Sequence, residues 1–259
     1  MQAPEKSVFL EETQKAILTV LSQKGCFDYI VFQGGTALRL FHGNIRFSED
    51  IDFVLKKEKK DYTLEDHLST IKRFTENSFP FLRNVSIKVQ KQTPEIQRYI
   101  LKTHSDISEQ RLRVHIELVG KPSYQNRPRI LHYPPLQPVV RVEDPEEILA
   151  DKVTALALRT YLKGRDLWDI YYLCIERNIS IPWSLVYRKV LDYDSTKSEF
   201  DEKIEKTVDK INLQGGNILK NELERFLPPR IFEQYRLMLP DILKTVVRLV
   251  SVNKNSEGN

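Results

Sequence analysis

Residues 50–55 alternate polar and apolar, Asp-Ile-Asp-Phe-Val-Leu, after a short apolar run, Tyr29-Ile30-Val31-Phe32. Residues two apart on an extended chain point to the same side. The alternation therefore predicts a strand with Ile51 and Phe53 turned into a core and Asp50 and Asp52 together on the other face. Between the two runs, Gly34-Gly35-Thr36 followed by Ala37, Leu38, Leu40 and Phe41 predicts a tight turn into a helix. Upstream, residues 8–24 read as an amphipathic helix with Phe9, Ala16, Ile17, Val20 and Leu21 on one side. A second helix is predicted over 64–78, carried by Leu64, Leu68, Ile71 and Phe74. Strands follow at 85–90, 99–103 and 112–119. In the last of these, Leu112, Val114, Ile116 and Leu118 share one face, and Arg111, Arg113, His115 and Glu117 the other.

Six of the thirteen prolines fall between Pro122 and Pro145, with Tyr124, Arg127 and Arg129 among them. That density predicts an extended surface connector rather than regular structure. Beyond it the pattern changes to helical periodicity. Asp144-Pro145-Glu146-Glu147 opens a helix with an N-cap acid, proline at the first position and acids in the first turn, running to about residue 160. Further helices are expected at 183–192, 198–212, 220–227 and 230–250, with Gly215-Gly216 and Pro228-Pro229 as breaks and a frayed tail from Ser251. The fold expected is α+β: a mixed sheet with flanking helices over residues 1–142, then an all-helical domain over 143–259.

Composition narrows the setting. No apolar run approaches the ~20 residues of a membrane-spanning helix, and the start, MQAPEKSVFLEE, lacks a secretory pattern, so a cytoplasmic protein without membrane contact is expected. Cys26 and Cys174 have no metal-like spacing and sit among apolar neighbours, which predicts free, buried thiols. The net charge of +4 is uneven. Residues 1–142 hold 22 Lys and Arg against 16 Asp and Glu, and residues 143–259 hold 18 against 20, giving +6 and −2. The positive half is the one with the Asp pair, consistent with a nucleotide or nucleic-acid substrate. The run Lys56-Lys57-Glu58-Lys59-Lys60 reads first as a solvated turn and second as a polynucleotide contact. Tyr124 to Arg129 allows RNA stacking but fits a packed linker better.

The chemistry concentrates at residues 32–55. Two carboxylates held side by side repel unless a cation lies between them, and oxygen ligands suit a divalent metal. Glycines before a helix let backbone N–H groups approach an anion such as phosphate. A phosphate cradle thus precedes a metal pair. Downstream, Lys152 lies on an otherwise apolar stripe, where a lysine either snorkels to the edge or aims at an anion. In Lys163-Gly164-Arg165-Asp166-Leu167-Trp168-Asp169-Ile170-Tyr171, Leu167, Ile170, Tyr171 and Cys174 form a core stripe. Arg165 and Asp169, four apart, then fall on the polar side with Asp166. They read either as an Arg–Asp brace or as phosphate-binding groups.

Gly34-Gly35-Thr36-Ala37-Leu38 together with Arg46-Phe47-Ser48-Glu49-Asp50-Ile51-Asp52-Phe53 resembles the signature of the DNA polymerase β-like nucleotidyltransferases, specifically their AbiEii toxin branch. Fourteen residues, 36 to 49, separate the glycine pair from Asp50. The resemblance implies a toxin of a toxin–antitoxin pair that takes a nucleoside triphosphate (NTP) and transfers a nucleotidyl group, with Mg²⁺ or Mn²⁺, to an acceptor, RNA such as tRNA foremost. It implies Asp50 and Asp52 as catalytic metal ligands and Glu117 as a third carboxylate on a neighbouring strand. His115, two residues earlier, reads as structural or solvated. Gly34, Gly35 and Thr36 would hold phosphates. Lys152 would be catalytic and triphosphate-binding. Lys163 and Arg165 would neutralise phosphates, with Asp166 and Asp169 orienting them or touching base or ribose, and the nucleotide bound between the two domains. Transfer to a small molecule or a protein side chain, or a non-catalytic nucleotide- or RNA-binding module, are the alternatives.

Overall fold

The computed structural model describes residues 3–59, 61–105 and 111–251. Lys60 of the basic run and residues 252–259 of the tail lie outside the described residues. The chain divides into two compact units, one of Met1–Gly43 with Phe47–Asp144 and one of Asn44–Arg46 with Pro145–Asn259. Three residues just upstream of the Asp pair thus belong with the C-terminal helices.

The first unit is built on a mixed seven-stranded sheet. Its strands are β1 (Ile30–Gln33), β2 (Asp50–Lys56), β3 (Leu82–Gln92), β4 (Ile96–Ser105), β5 (Arg111–Ser123), β6 (Asn126–Ile130) and β7 (Val139–Glu143), in the order β3-β4-β5-β2-β1-β7-β6. The pairs β2–β5 and β1–β7 are parallel, and the others antiparallel. Burial follows the predicted alternation. Ile51 and Phe53 are fully buried, as are Val114 and Ile116, while the intervening polar residues keep contact with solvent. Helices α1 (Ala3–Gln23) and α3 (Leu68–Ser78) pack on each other and against β5 and β3. Ala16, Ile17, Val20 and Leu21 of α1 are buried there; Leu64 precedes a single 3₁₀ turn that leads into α3.

The proline-rich stretch is not a connector. It supplies β6 and β7, an antiparallel pair, with β7 bonded to β1. Pro128 is tolerated because β6 is the sheet's edge strand, where a missing N–H breaks no inner ladder. Arg127 and Arg129, candidates for stacking on RNA, hold Asp144 instead, at 2.6 and 3.5 Å. Lys57 and Lys59 lie over the rings of Tyr124 and Tyr29.

The second unit is helical: α4 (Pro145–Leu158), α5 (Gly164–Tyr171), α6 (Trp183–Asp192), α7 (Lys197–Phe226), α8 (Pro229–Arg236) and α9 (Leu239–Ser251), with a π turn over Tyr172–Glu176 after α5. α4 starts at Pro145, as proline at a first helical position predicts. Two boundaries differ from the sequence pattern. Gly215-Gly216 does not break a helix: α7 runs through it for 30 residues. Its buried stripe, Phe200, Ile204, Ile211, Gly215, Leu219 and Leu223, is continuous, and a Cβ at Gly215 would lie 3.3 Å from Leu243 Cδ2 of α9. Close packing of α9 outweighs the ~1 kcal/mol helix penalty of each glycine. The expected helix over 230–250 is instead two, divided at Leu237-Met238 with Pro240 in the first turn of α9, where a missing N–H costs nothing. Cys26 and Cys174 are free and buried, and burial pushes both thiols up, Cys174 to about 11.

Candidate active site

In the first unit the glycine turn and the Asp pair meet. α2 (Gly34–Phe41) follows β1 directly, and β1 is antiparallel to β2 with Gln33 opposite Asp52. Gly34 has φ +78°, a left-handed conformation that disfavours any side chain, and a Cβ there would lie 2.8 Å from Asp52 Oδ2. The backbone at the helix start is thus pressed against a carboxylate of the pair. Gly34, Gly35 and Thr36 are buried, and the Thr36 hydroxyl donates to the Asp50 carbonyl oxygen. That side chain ties the helix to the strand, leaving its backbone N–H as the group that could face a phosphate.

Strand register places Glu117 beside Asp52 and His115 beside Asp50 on parallel β5. Residues directly opposite share a face, so Asp50, Asp52, His115 and Glu117 all project to the same side. Glu117 is not idle: Arg98 of β4, its own partner in register, donates to it at 2.6 Å. Among the described residues, Asp50, Asp52 and Glu117 do not bring ligand atoms all within 4.8 Å of one another. The donor set of Asp50 and Asp52 nevertheless fits a hard divalent cation, because both offer carboxylate oxygens from one half-buried strand face. Arg98 sits on Oε2 of Glu117, so Glu117 would join them through its other carboxylate oxygen or by giving up Arg98.

In the second unit the candidate residues converge on each other. Asp166 and Asp169, expected on the polar side of α5, are buried at 3% and 0% exposure. The Lys152 ammonium lies 2.9 Å from Asp166 Oδ1 and 2.9 Å from Asp169 Oδ2. Arg46 grips Asp169 with two donors, Nε at 2.6 Å to Oδ1 and a terminal nitrogen at 2.5 Å to Oδ2. Arg159 takes the remaining oxygen of Asp166. Asn44 links the cluster to Trp168, donating to Asp169 Oδ1 and accepting from the indole N–H. Burial by itself would raise the Asp169 carboxyl, but Arg46 and Lys152 outweigh it and hold it down at about 2. Asp166 is likewise lowered against burial by Lys152 and Arg159. Burial would also discharge Lys152 and Arg46, yet the two carboxylates keep both charged.

Arg165 does not brace Asp169. Its side chain lies 3.3 Å from Glu222 of α7 and over the Phe226 ring. The basic partners of Asp169 are Lys152 and Arg46, the latter from a loop more than a hundred residues upstream. Sequence spacing could not pair them, and the signal available was only that Arg46 lies inside the Arg-Phe-Ser-Glu-Asp-Ile-Asp run. Lys163, half-buried, precedes the first residue of α5. A second buried ion group lies nearby in the same unit, where Glu147 and Asp151 of α4 close on the Lys189 ammonium at 2.6 and 3.0 Å.

With the geometry established, comparison with known proteins adds identity. The sequence model of a family described as "Nucleotidyl transferase AbiEii toxin, Type IV TA system" matches residues 16–248. No curated protein matches the chain in sequence. Among solved structures, JHP933 from Helicobacter pylori is similar, with a TM-score of 0.56 at 19% identity over 97% of this chain and 96% of that one. So is an H. pylori protein inferred to be a nucleotidyltransferase, with a TM-score of 0.57 at 19% identity over 95% and 97%. At such identity the likeness speaks for a shared fold.

Proposed function

Because the chain belongs to the AbiEii nucleotidyltransferase toxin family, we propose that it is a metal-dependent transferase that places a nucleotidyl group from an NTP on RNA, a tRNA end foremost, as the toxin partnered by an antitoxin. The observation that carries this reading is the seating of the Gly34 backbone against Asp52. It puts the anion-attracting start of α2 next to two carboxylates that can hold a divalent cation, the two requirements of triphosphate chemistry.

In the reaction an acceptor hydroxyl attacks the α-phosphorus, an oxygen–phosphorus bond forms, and the bond to the β-phosphate breaks as pyrophosphate leaves in line. Bound Mg²⁺ would lower the pKa of the attacking hydroxyl and neutralise charge on the leaving group. Asp50 and Asp52 would hold it, with Glu117 as the third carboxylate. Gly34, Gly35 and Thr36 would donate backbone N–H groups to phosphate oxygens. Lys152 is the member of the buried network suited to triphosphate, with Asp166 and Asp169 fixing its position and charge. Lys163 and Arg165 would neutralise phosphate charge, Arg165 from its place against Glu222. No covalent intermediate on the protein is needed, since positioning and charge neutralisation suffice.

The test is incubation of the purified protein with each labelled NTP, Mg²⁺ and total cellular RNA, alongside the Asp52→Asn protein. Label in RNA that depends on Asp52 and on the metal supports the reading. Label only in protein or in small-molecule fractions would move the acceptor to those classes. Toxicity retained by Asp52→Asn would remove the enzymatic reading.

A further inference from the structure

The face of the sheet that carries Asp50 and Asp52 continues across β5, β4 and β3, and its chemistry turns from acidic to basic on the way. Asp50 is paired with His115, His115 with Ile100, and Ile100 with Lys88. In the next rows on the same face, Arg113 is paired with Lys102 and Arg111 with His104. Lys88, Arg111 and Arg113 are exposed, and Lys102 is half-buried. Over the residues of β3, β4 and β5, Glu117 is the one acidic side chain, and Arg98 already holds it. The opposite face of these strands is apolar, with Tyr99, Leu101, Leu112 and Val114 buried on the side where α1 and α3 pack. The basic residues therefore contribute nothing to that core.

They also work against the fold. Like charges directly opposite each other on neighbouring strands destabilise the pair, and Lys102 faces Arg113 in this way. An arrangement that repels itself in the free protein is relieved by a polyanion laid across it. Neighbouring strands are ~4.8 Å apart, so β3 lies ~14 Å from β2, a span that suits a run of backbone phosphates rather than one small anion.

We propose that the exposed basic face of β3, β4 and β5 is the docking surface for the phosphate backbone of the RNA acceptor, which brings an acceptor hydroxyl to the Asp50–Asp52 end of the same face. This rests on the reading of RNA as acceptor. Binding here is electrostatic and independent of base sequence, and it weakens as salt rises.

The experiment measures binding of labelled bulk tRNA by fluorescence anisotropy between 50 and 200 mM salt, without NTP, for the wild type, Asp52→Asn and a Lys88→Ala/Lys102→Ala/Arg113→Ala protein. The wild type and Asp52→Asn should bind alike. The triple variant should bind at least ~10-fold more weakly, with a log–log salt slope shallower by roughly 2–3, as expected for three lost phosphate contacts. An unchanged thermal midpoint and unchanged NTP affinity show that the triple variant is folded. Equal tRNA affinity and slope in the triple variant would overturn the proposal, as would binding of polyglutamate in preference to tRNA. A wild type that binds tRNA through these residues yet labels no RNA leaves the docking surface standing and removes the acceptor reading. A triple variant that labels RNA with an unchanged KM for RNA does the reverse.

Discussion

Asp52 and Asp169 are the same side chain in two opposite environments. Asp52 stands half-buried on a strand face beside Asp50, where two like charges share one side of β2. Asp169 is sealed in a helical interior, where Arg46 and Lys152 have already relieved it and burial has made the pairing obligatory. One carboxylate shares a partly exposed strand face with a second acid; the other is locked into the fold and, with Asp166, keeps Lys152 charged. The difference teaches that an aspartate's part in the fold follows from how completely burial and charged neighbours enclose it.

The sharpest way to break this contrast is to neutralise each carboxylate in turn. Asp169→Asn should destabilise the protein by roughly 3–5 kcal/mol in urea unfolding, because Arg46 and Lys152 are left as buried, undercompensated charges. A double Arg46→Met/Asp169→Leu replacement should recover part of that loss. Asp52→Asn should cost well under the Asp169 change, on the order of 1 kcal/mol of unfolding free energy or less, while removing nucleotidyl transfer by a factor on the order of a hundred or more. Equal stability losses at both positions would erase the distinction.

Acid sharpens the same comparison with a smaller effect. The folded Asp169 carboxyl is held at about 2, below its ordinary value of 3.8, by Arg46 and Lys152 against the opposing effect of burial. A lowered folded pKa contributes stability that is fully present above about pH 4 and is lost as pH falls towards 2, worth on the order of 2 kcal/mol. Unfolding followed from pH 5 to 2 should show this loss in the wild type and a diminished one in the Arg46→Met protein.

Glycine substitutions give the next pair. Gly34→Ala meets both a left-handed backbone and Asp52 Oδ2, so it should cost about 1–2 kcal/mol and at least a tenfold loss of transfer rate. Gly216→Ala, on the exposed side of α7 with ordinary contact to Leu243, should instead stabilise by about 0.5–1 kcal/mol without changing activity.

How far the sequence could be read depended on how local the determining contact was. The strand carrying Asp50 and Asp52, the turn into α2, the alternation of β5 and the start of α4 were all legible, since period, glycine and proline act within a few residues. The strands β6 and β7 were hidden because prolines argued against them, and only their place at the sheet's edge makes Pro128 harmless. The unbroken α7 was hidden because Gly215 reads as a breaker until α9 is packed against it.

The sequence by itself determined which faces are apolar, that two carboxylates share one strand face, and that a glycine turn leads into the helix before them. Only the tertiary structure decided that Gly34 abuts Asp52, that Glu117 stands beside Asp52 with Arg98 on it, and that Asp166 and Asp169 are interior. The reason is physical. Periodicity tells which side a residue faces, but what waits on that side, water, a metal or an arginine from position 46, is set by segments that the chain brings together only when it folds.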